Sequence, residues 1–189
     1  MKNDYVILIL SCASYSDLWS NHIHLLDTFW SNHSDYLLVS DDNGLFDLIS
    51  FEQLLVIKKD MSSRLIDALQ RVKSKYVFLT FDDYYLKKNV DQSKFEKILN
   101  YIKEHDIDYC GFHRNIKKRK DVICKELKLS SLSLEETYQI NFYSSIWKRE
   151  ALISCLRQKE DIWKAEVLLT KRARSNNLKA IACYDKSVL

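Results

Sequence analysis

Three continuous apolar runs constrain this chain more than any other feature: YVILIL (Tyr5–Leu10), DYLLVS (Asp35–Ser40) and YVFLTF (Tyr76–Phe81). Each is short and rich in β-branched or aromatic residues, and none alternates with polar ones. Runs of that kind read as strands covered on both faces. A fourth run, LLVIK (Leu54–Lys58), is a further strand candidate. Between them lie two segments with helical spacing. LWSNHIHLLDTFW carries Leu18, Leu25, Leu26, Phe29 and Trp30 at such intervals, and SSRLIDALQRV (Ser62–Val72) is amphipathic with a serine available as N-cap. The order β-α-β-β-α-β predicts an α/β protein with a mainly parallel sheet flanked by helices.

The remainder is less regular. DQSKFEKILNYIKEH is a helix with Phe95, Ile98, Leu99 and Ile102 on one face, and IDYCGFHR (Ile107–Arg114) reads as a strand. NIKKRKDVICKELK is a basic connection, TYQINFYSSIW looks extended, KREALISCLRQ and DIWKAEVLLTKRARS look helical, and KAIACYD is a last strand candidate. A length of 189 residues with no repeat and no linker fits a single domain over 1–189.

Composition excludes more than it selects. A net charge of +3 announces no nucleic-acid binder. The five cysteines form no CxxC pair and read as reduced thiols. The first apolar run is too short for a signal peptide core or a membrane span. The expectation is a cytoplasmic protein, with contact at the inner membrane face left open. The run KKRK (Lys117–Lys120) is either solvated or attracted to anionic lipid, at about 1 kcal/mol per residue near such a surface. Oligomeric state is not legible.

The third run stops at two adjacent carboxylates, Asp82 and Asp83. In open α/β sheets, ligands bind outside the carboxyl ends of the strands. The loop SCASYSD and the triplet Asp41, Asp42, Asn43 follow the other two runs, so three strand ends supply polar groups to one edge. The bland reading of Asp82–Asp83 is a solvated turn. A P-loop reading fails because neither Gly44 nor Gly111 begins the required glycine–lysine pattern. A phosphoacceptor reading wants acids after the first strand, which here ends ILSCAS. Recognition of a nucleotide-sugar diphosphate through a divalent cation suits the carboxylates.

KSKYVFLTFDDYYLKKNVD resembles the central motif of bacterial GT-A-type glycosyltransferases of capsular and cell-surface polysaccharide biosynthesis. The similarity extends back over SSRLIDALQRVKSKYVF and forward to YSSIWKREALISCL and EDIWKAEVLL, and so covers most of the chain. It implies a GT-A-like fold, with a nucleotide-sugar-binding half over 1–114 and an acceptor-side half over 115–189. The chain is shorter than most such enzymes and stops soon after KAIACYD, so the expected acceptor-side half is a truncated one. The acidic motif is Asp-Asp-Tyr rather than the wider superfamily's Asp-x-Asp. The implied function is transfer of a hexosyl-type sugar from a nucleotide-diphosphate donor to a surface glycan, lipid-linked or free. The rival readings are a catalytically silent nucleotide- or glycan-binding relative and a nucleotidyltransferase.

The resemblance implies roles for particular residues. Ser11, Cys12, Ser14 and Asp17 would hold the donor nucleotide, or else cap the next helix. Asp41 and Asp42 would touch base or ribose, or form a polar turn. Arg64, a cation in the first turn of a helix, would bind phosphate oxygens bidentately. Asp82 and Asp83 would hold Mg2+ or Mn2+, or bind sugar hydroxyls. His113 and Arg114 would face the diphosphate or simply end a strand. Trp147 would stack on the acceptor or pack in the core. Glu166 is the candidate base for an inverting transfer. Trp163, three residues earlier on the same helical face, would desolvate Glu166 and offer the sugar a platform. His22 and His24 point to different helix faces and make no metal pair.

Overall fold

The computed structural model describes residues 4–43, 53–112 and 121–189. The strands are β1 (Tyr5–Leu10), β2 (Tyr36–Ser40), β3 (Leu54–Val56), β4 (Tyr76–Phe81), β5 (Tyr109–Gly111), β6 (Val122–Cys124), β7 (Leu129–Ser131), β8 (Ser145–Lys148) and β9 (Ala180–Cys183). The helices are α1 (Ser16–Phe29), α2 (Met61–Arg71), α3 (Gln92–Glu104), α4 (Arg149–Cys155) and α5 (Ile162–Ser175). The strands form one sheet in the order β3-β2-β1-β4-β8-β5-β9-β7-β6.

The sheet is mixed. β3, β2, β1 and β4 run parallel, as the three apolar runs predict. Beyond β4 only the β5–β9 pairing is parallel, and the other four pairings are antiparallel. β8 is the reason: it enters between β4 and β5 against both, and helices α4 and α5 follow it rather than precede it.

Alternation assigns the core. Leu8, Leu10, Val77 and Leu79 point to a face packed with Leu65 and Leu69 of α2, Leu152 of α4 and Leu169 of α5. Ile7, Ile9 and Phe78 point to the other face, against Trp19 and Leu26 of α1, Trp30, and Phe95 and Ile98 of α3. Both faces are covered, which is why the runs are continuously apolar.

Several local expectations are corrected. The N-cap of α2 is Asp60, not a serine: its carboxylate accepts from the Ser63 amide at 2.9 Å. Ser62 and Ser63 lie inside the helix, and the Ser63 hydroxyl accepts from the Lys159 amide at 2.8 Å. Neither Ser16 nor Asp17 caps α1, because a 3-10 turn (Ala13–Tyr15) leads straight into the helix. Within TYQINFYSSIW only the end is strand, and the basic connection carries β6, which forms a hairpin with β7 just beyond it. Among the described residues no helix is long and apolar enough to cross a membrane. The five cysteines are free thiols.

Candidate functional site

Strand register builds the site. Leu10 is level with Phe81 on one side and with Val39 on the other. The next residues, Ser11, Asp82 and Ser40, therefore emerge together at the carboxyl edge. The Ser11 hydroxyl donates to the Asp82 carboxylate across that edge. The same hydroxyl accepts from the Trp19 indole N–H at 2.7 Å, while the His22 ring bonds the Asp82 carbonyl at 3.0 Å. Ser11, Trp19, His22 and Asp82 are all buried. Burial pushes the Asp82 carboxyl up; the Ser11 hydroxyl opposes this, and the neighbouring Asp83 charge adds to it. Burial likewise pulls the His22 imidazole down, so the ring is neutral near pH 7 and its Nδ1–H donates to the carbonyl.

A second knot joins β1 to β2 and α2. The Asp41 carboxylate accepts from the Ala13 amide at 2.7 Å and lies 3.6 Å from the Arg64 guanidinium. Burial opposes ionisation of Asp41, but the Ala13 amide and Arg64 outweigh it and hold the carboxyl below its usual range. Arg64 is itself buried. It donates to the Ser11 carbonyl at 2.5 Å and to the Lys59 carbonyl at 3.3 Å. The expected role of Arg64 as an open phosphate clamp is therefore corrected: its guanidinium is spent on loop carbonyls and has no exposed fork to offer. Its buried Nε has no hydrogen-bond partner among the described residues.

The expected donor-side residues thus divide in two. Ser11 and Arg64 are taken up by the scaffold, and Asp82 is buried with one carboxylate oxygen held by Ser11. Cys12 and Ser14, which contact each other at 3.0 Å, and Asp17, Asp42 and Asp83 keep surface at the edge. Asp42 accepts from the Asn43 amide and pairs loosely with Lys58 at 3.8 Å, whereas the exposed Asp83 carboxylate has no partner among the described residues.

The acceptor-side residues are partly redistributed. Trp147 is fully buried, packs edge-on against Tyr109 and donates to Ser145 at 3.1 Å. It has no face for an acceptor. Trp163 is 75% exposed, so it does not enclose Glu166. His113, Arg114 and Lys117–Lys120 lie outside the described residues.

Glu166 is half-buried, and one carboxylate oxygen accepts from the Phe142 amide at 3.1 Å. Its helix is set by the Asp161 N-cap, which accepts from Trp163 and Lys164, and by a paired Arg172–Glu160 fork at 2.6 and 2.8 Å. The Phe142 bond ties Glu166 to the segment whose next residue, Tyr143, stands 5.4 Å ring to ring from Tyr84, immediately after the acidic pair. Burial first, then Tyr143, Asp83 and Glu166, push the Tyr84 hydroxyl up to about 12. Asp83 and Glu166 therefore act on one phenol from two elements. Sequence reasoning missed Trp19, His22, Tyr84 and Tyr143. For Tyr84 its position beside Asp83 was the one available signal.

Two open depressions lie elsewhere. One of about 540 Å³ sits at the opposite, amino edge among Lys73, Lys75, Tyr76 and Lys103. Another of about 280 Å³ lies beside α3. The carboxyl edge is the better candidate, because its polar groups converge from three strands. Lys103 at the larger depression is instead paired with Asp4 at 2.6 Å.

No family model and no curated protein matches this sequence. Solved structures do match. The chain superposes on S. aureus TarS, a staphylococcal wall teichoic acid glycosyltransferase, with a TM-score of 0.62 and 14% identity, over 99% of this chain and 36% of TarS. Against the 1–349 form of TarS the TM-score is 0.65 and the identity 15%, over 99% of this chain and 59% of that one. A third match is the CMP:2-keto-3-deoxy-manno-octonic acid synthetase complexed with CTP, at TM-score 0.55 and 9% identity, over 95% of this chain and 89% of that one. The fold is thus α/β and GT-A-like, and this chain spans about a third to three fifths of the TarS chains it resembles.

Proposed function

We propose that this chain is a glycosyltransferase, moving a sugar from a nucleotide-diphosphate donor to a surface glycan, with inversion. The observation that carries this reading is that Glu166 is tied to the Phe142–Tyr143 segment, whose rings meet Phe81 and Tyr84 beside Asp83 at the carboxyl end of β4. An inverting transfer needs a carboxylate to take the acceptor hydroxyl's proton and a separate group near the leaving diphosphate. Glu166 suits the first role, since the Phe142 amide orients one oxygen and the other has no hydrogen-bond partner among the described residues. Asp83, with Cys12, Ser14 and Asp42, suits the donor side.

A divalent cation fits this donor set in a limited way. Among the described residues no three His, Cys, Asp or Glu side chains gather to hold an ion unaided. Magnesium sites in nucleotide enzymes are commonly completed by substrate phosphates and water around one or two carboxylates. Asp83 and the remaining oxygen of Asp82 would hold Mg2+ or Mn2+, which would neutralise charge on the leaving diphosphate. Ser11, Trp19 and His22 fix the pair from below.

The synthetase match supports a second reading, a nucleotidyltransferase, because this chain spans 89% of that protein. A thermal-shift screen of nucleotides with and without Mn2+ separates the readings. A ligand at 100 times its Kd adds about 2.7 kcal/mol of stability. Stabilisation by a nucleoside diphosphate or its sugar is expected. Stabilisation by a nucleoside triphosphate alone, with pyrophosphate release in the presence of a sugar acid, would favour the second reading.

A further inference from the structure

We propose that Tyr84, Tyr143 and Trp163 form the acceptor subsite, and that it takes a pyranose ring of an uncharged glycan rather than a phosphodiester-linked polyol. The inference rests on the transferase reading and names the acceptor class for it.

Two hydrogen bonds set the geometry. Thr170 accepts from the Ile140 amide at 3.0 Å, and Glu166, one helical turn earlier, accepts from the Phe142 amide at 3.1 Å. From Ile140 to Phe142 the segment therefore runs antiparallel to α5, heading toward the first turn of the helix. That turn carries Trp163. From the other side, the Tyr84 ring stands 5.4 Å from the Tyr143 ring at 41°, supported beneath by Phe81 at 6.0 Å and Phe142 at 6.1 Å from Phe81. Tyr143 is 52% exposed and Trp163 75% exposed. Large aromatic faces left in water, beside the segment that holds Glu166, are poorly explained by packing alone.

Their chemistry defines the ligand. The axial C–H face of a pyranose matches an aromatic face, and its equatorial hydroxyls match carboxylate acceptors. The acidic residues beside these rings are Asp83, which precedes Tyr84 in the chain, and Glu166, held by the Phe142 amide next to Tyr143. A phosphodiester brought there would meet like charge from both. The Tyr84 phenol stays protonated at neutral pH and can donate to a sugar oxygen. The acceptor hydroxyl would then lie beside Glu166, where its proton leaves.

The test is saturation-transfer NMR on the whole chain. The probes are neutral glucose, galactose and N-acetylhexosamine di- and trisaccharides, set against glycerol phosphate and ribitol phosphate oligomers, each with and without UDP and Mn2+. The expected result is saturation of pyranose ring protons by at least one neutral probe and none of the polyol phosphates. Tyr143→Ala should weaken that binding at least tenfold and Tyr143→Phe about twofold, with nucleotide affinity and melting temperature unchanged. Preference for a polyol phosphate, or unchanged glycan affinity in Tyr143→Ala, overturns the inference. Nucleotide binding without any glycan binding overturns it and leaves the transferase reading standing. Glycan binding that depends on Tyr143, without any nucleotide binding, supports the subsite and removes the transferase reading. Binding of neither removes both.

Discussion

At the scale of single residues, the two adjacent aspartates differ in kind. Asp82 is buried and accepts a hydrogen bond from the Ser11 hydroxyl, while Asp83 is exposed and unpaired among the described residues. Ser11→Ala removes the donor to Asp82 and the acceptor for the Trp19 indole at once. It should cost about 1–3 kcal/mol, the usual range for leaving a buried polar group unsatisfied. Urea unfolding of the variant measures this; a loss below about 0.5 kcal/mol would mean that the buried knot does not hold the edge together. Asp83→Asn should do the reverse. Its stability should stay within about 0.5 kcal/mol of the parent chain, as for an ordinary surface change, while nucleotide affinity or its metal dependence falls. Unchanged nucleotide binding at matched Mn2+ would remove Asp83 from the donor site.

At the scale of elements, caps and turns decide where helices begin and end. Asp60→Ala should cost about 1 kcal/mol, because its carboxylate satisfies the Ser63 amide at the start of α2. The C-termini of α3 and α5 close with a left-handed residue, Asp106 and Asn177, and paired 6→1 and 5→2 bonds such as Leu178 N–H to the Ala173 carbonyl at 2.9 Å. With two glycines in the chain, left-handed positions fall to bulkier residues, Lys159 among them at φ 57°. The left-handed region costs an ordinary residue roughly 1–2 kcal/mol, and glycine's extra unfolded freedom costs about 0.5–1. Lys159→Gly should therefore stabilise by about 0.5–1 kcal/mol on that difference. An unaltered or lower melting temperature would count against it. The strands and helices of the first half were legible because every one of them is long or continuously apolar. The hairpin β6–β7 was not, since Val122–Cys124 and Leu129–Ser131 have three residues each and sit in or just beyond a basic stretch. The direction of β8 was not legible either, because antiparallel insertion leaves no mark on a four-residue strand. The site was half legible. Carboxylates at strand ends announce themselves, but whether a side chain faces the loop carbonyls or the solvent is fixed by tertiary packing. The turn of Arg64 toward loop carbonyls, and the choice between core and acceptor for Trp147, were not legible for that reason.

For the whole molecule, pH tests the electrostatics and turnover tests the function. Asp185 is buried, and although burial opposes its charge, Lys94, Ser187 and Lys128 hold its carboxyl well below the usual range. Asp41 and Asp60 are lowered as well. Between these lowered values and the ordinary value of 3.8, the unfolded chain binds more protons, so stability should rise with pH through that window and be lost as pH falls. Asp82 is raised and contributes the opposite slope above 3.8. Melting temperature should therefore fall steeply below pH 4, and Asp185→Asn should flatten that fall; an unchanged slope in the variant would contradict the assignment. Function is tested most directly by release of nucleoside diphosphate from a panel of nucleotide sugars, with a glycan acceptor present, measured alongside donor affinity for the parent chain and Glu166→Gln on the same folded samples. General-base catalysis contributes about 10²–10⁴-fold. The expected result is a loss of that size in kcat with donor affinity unchanged. Retention of more than about a tenth of parental turnover, against the hundredfold minimum of that range, would contradict the role of Glu166 and the inverting transfer built on it.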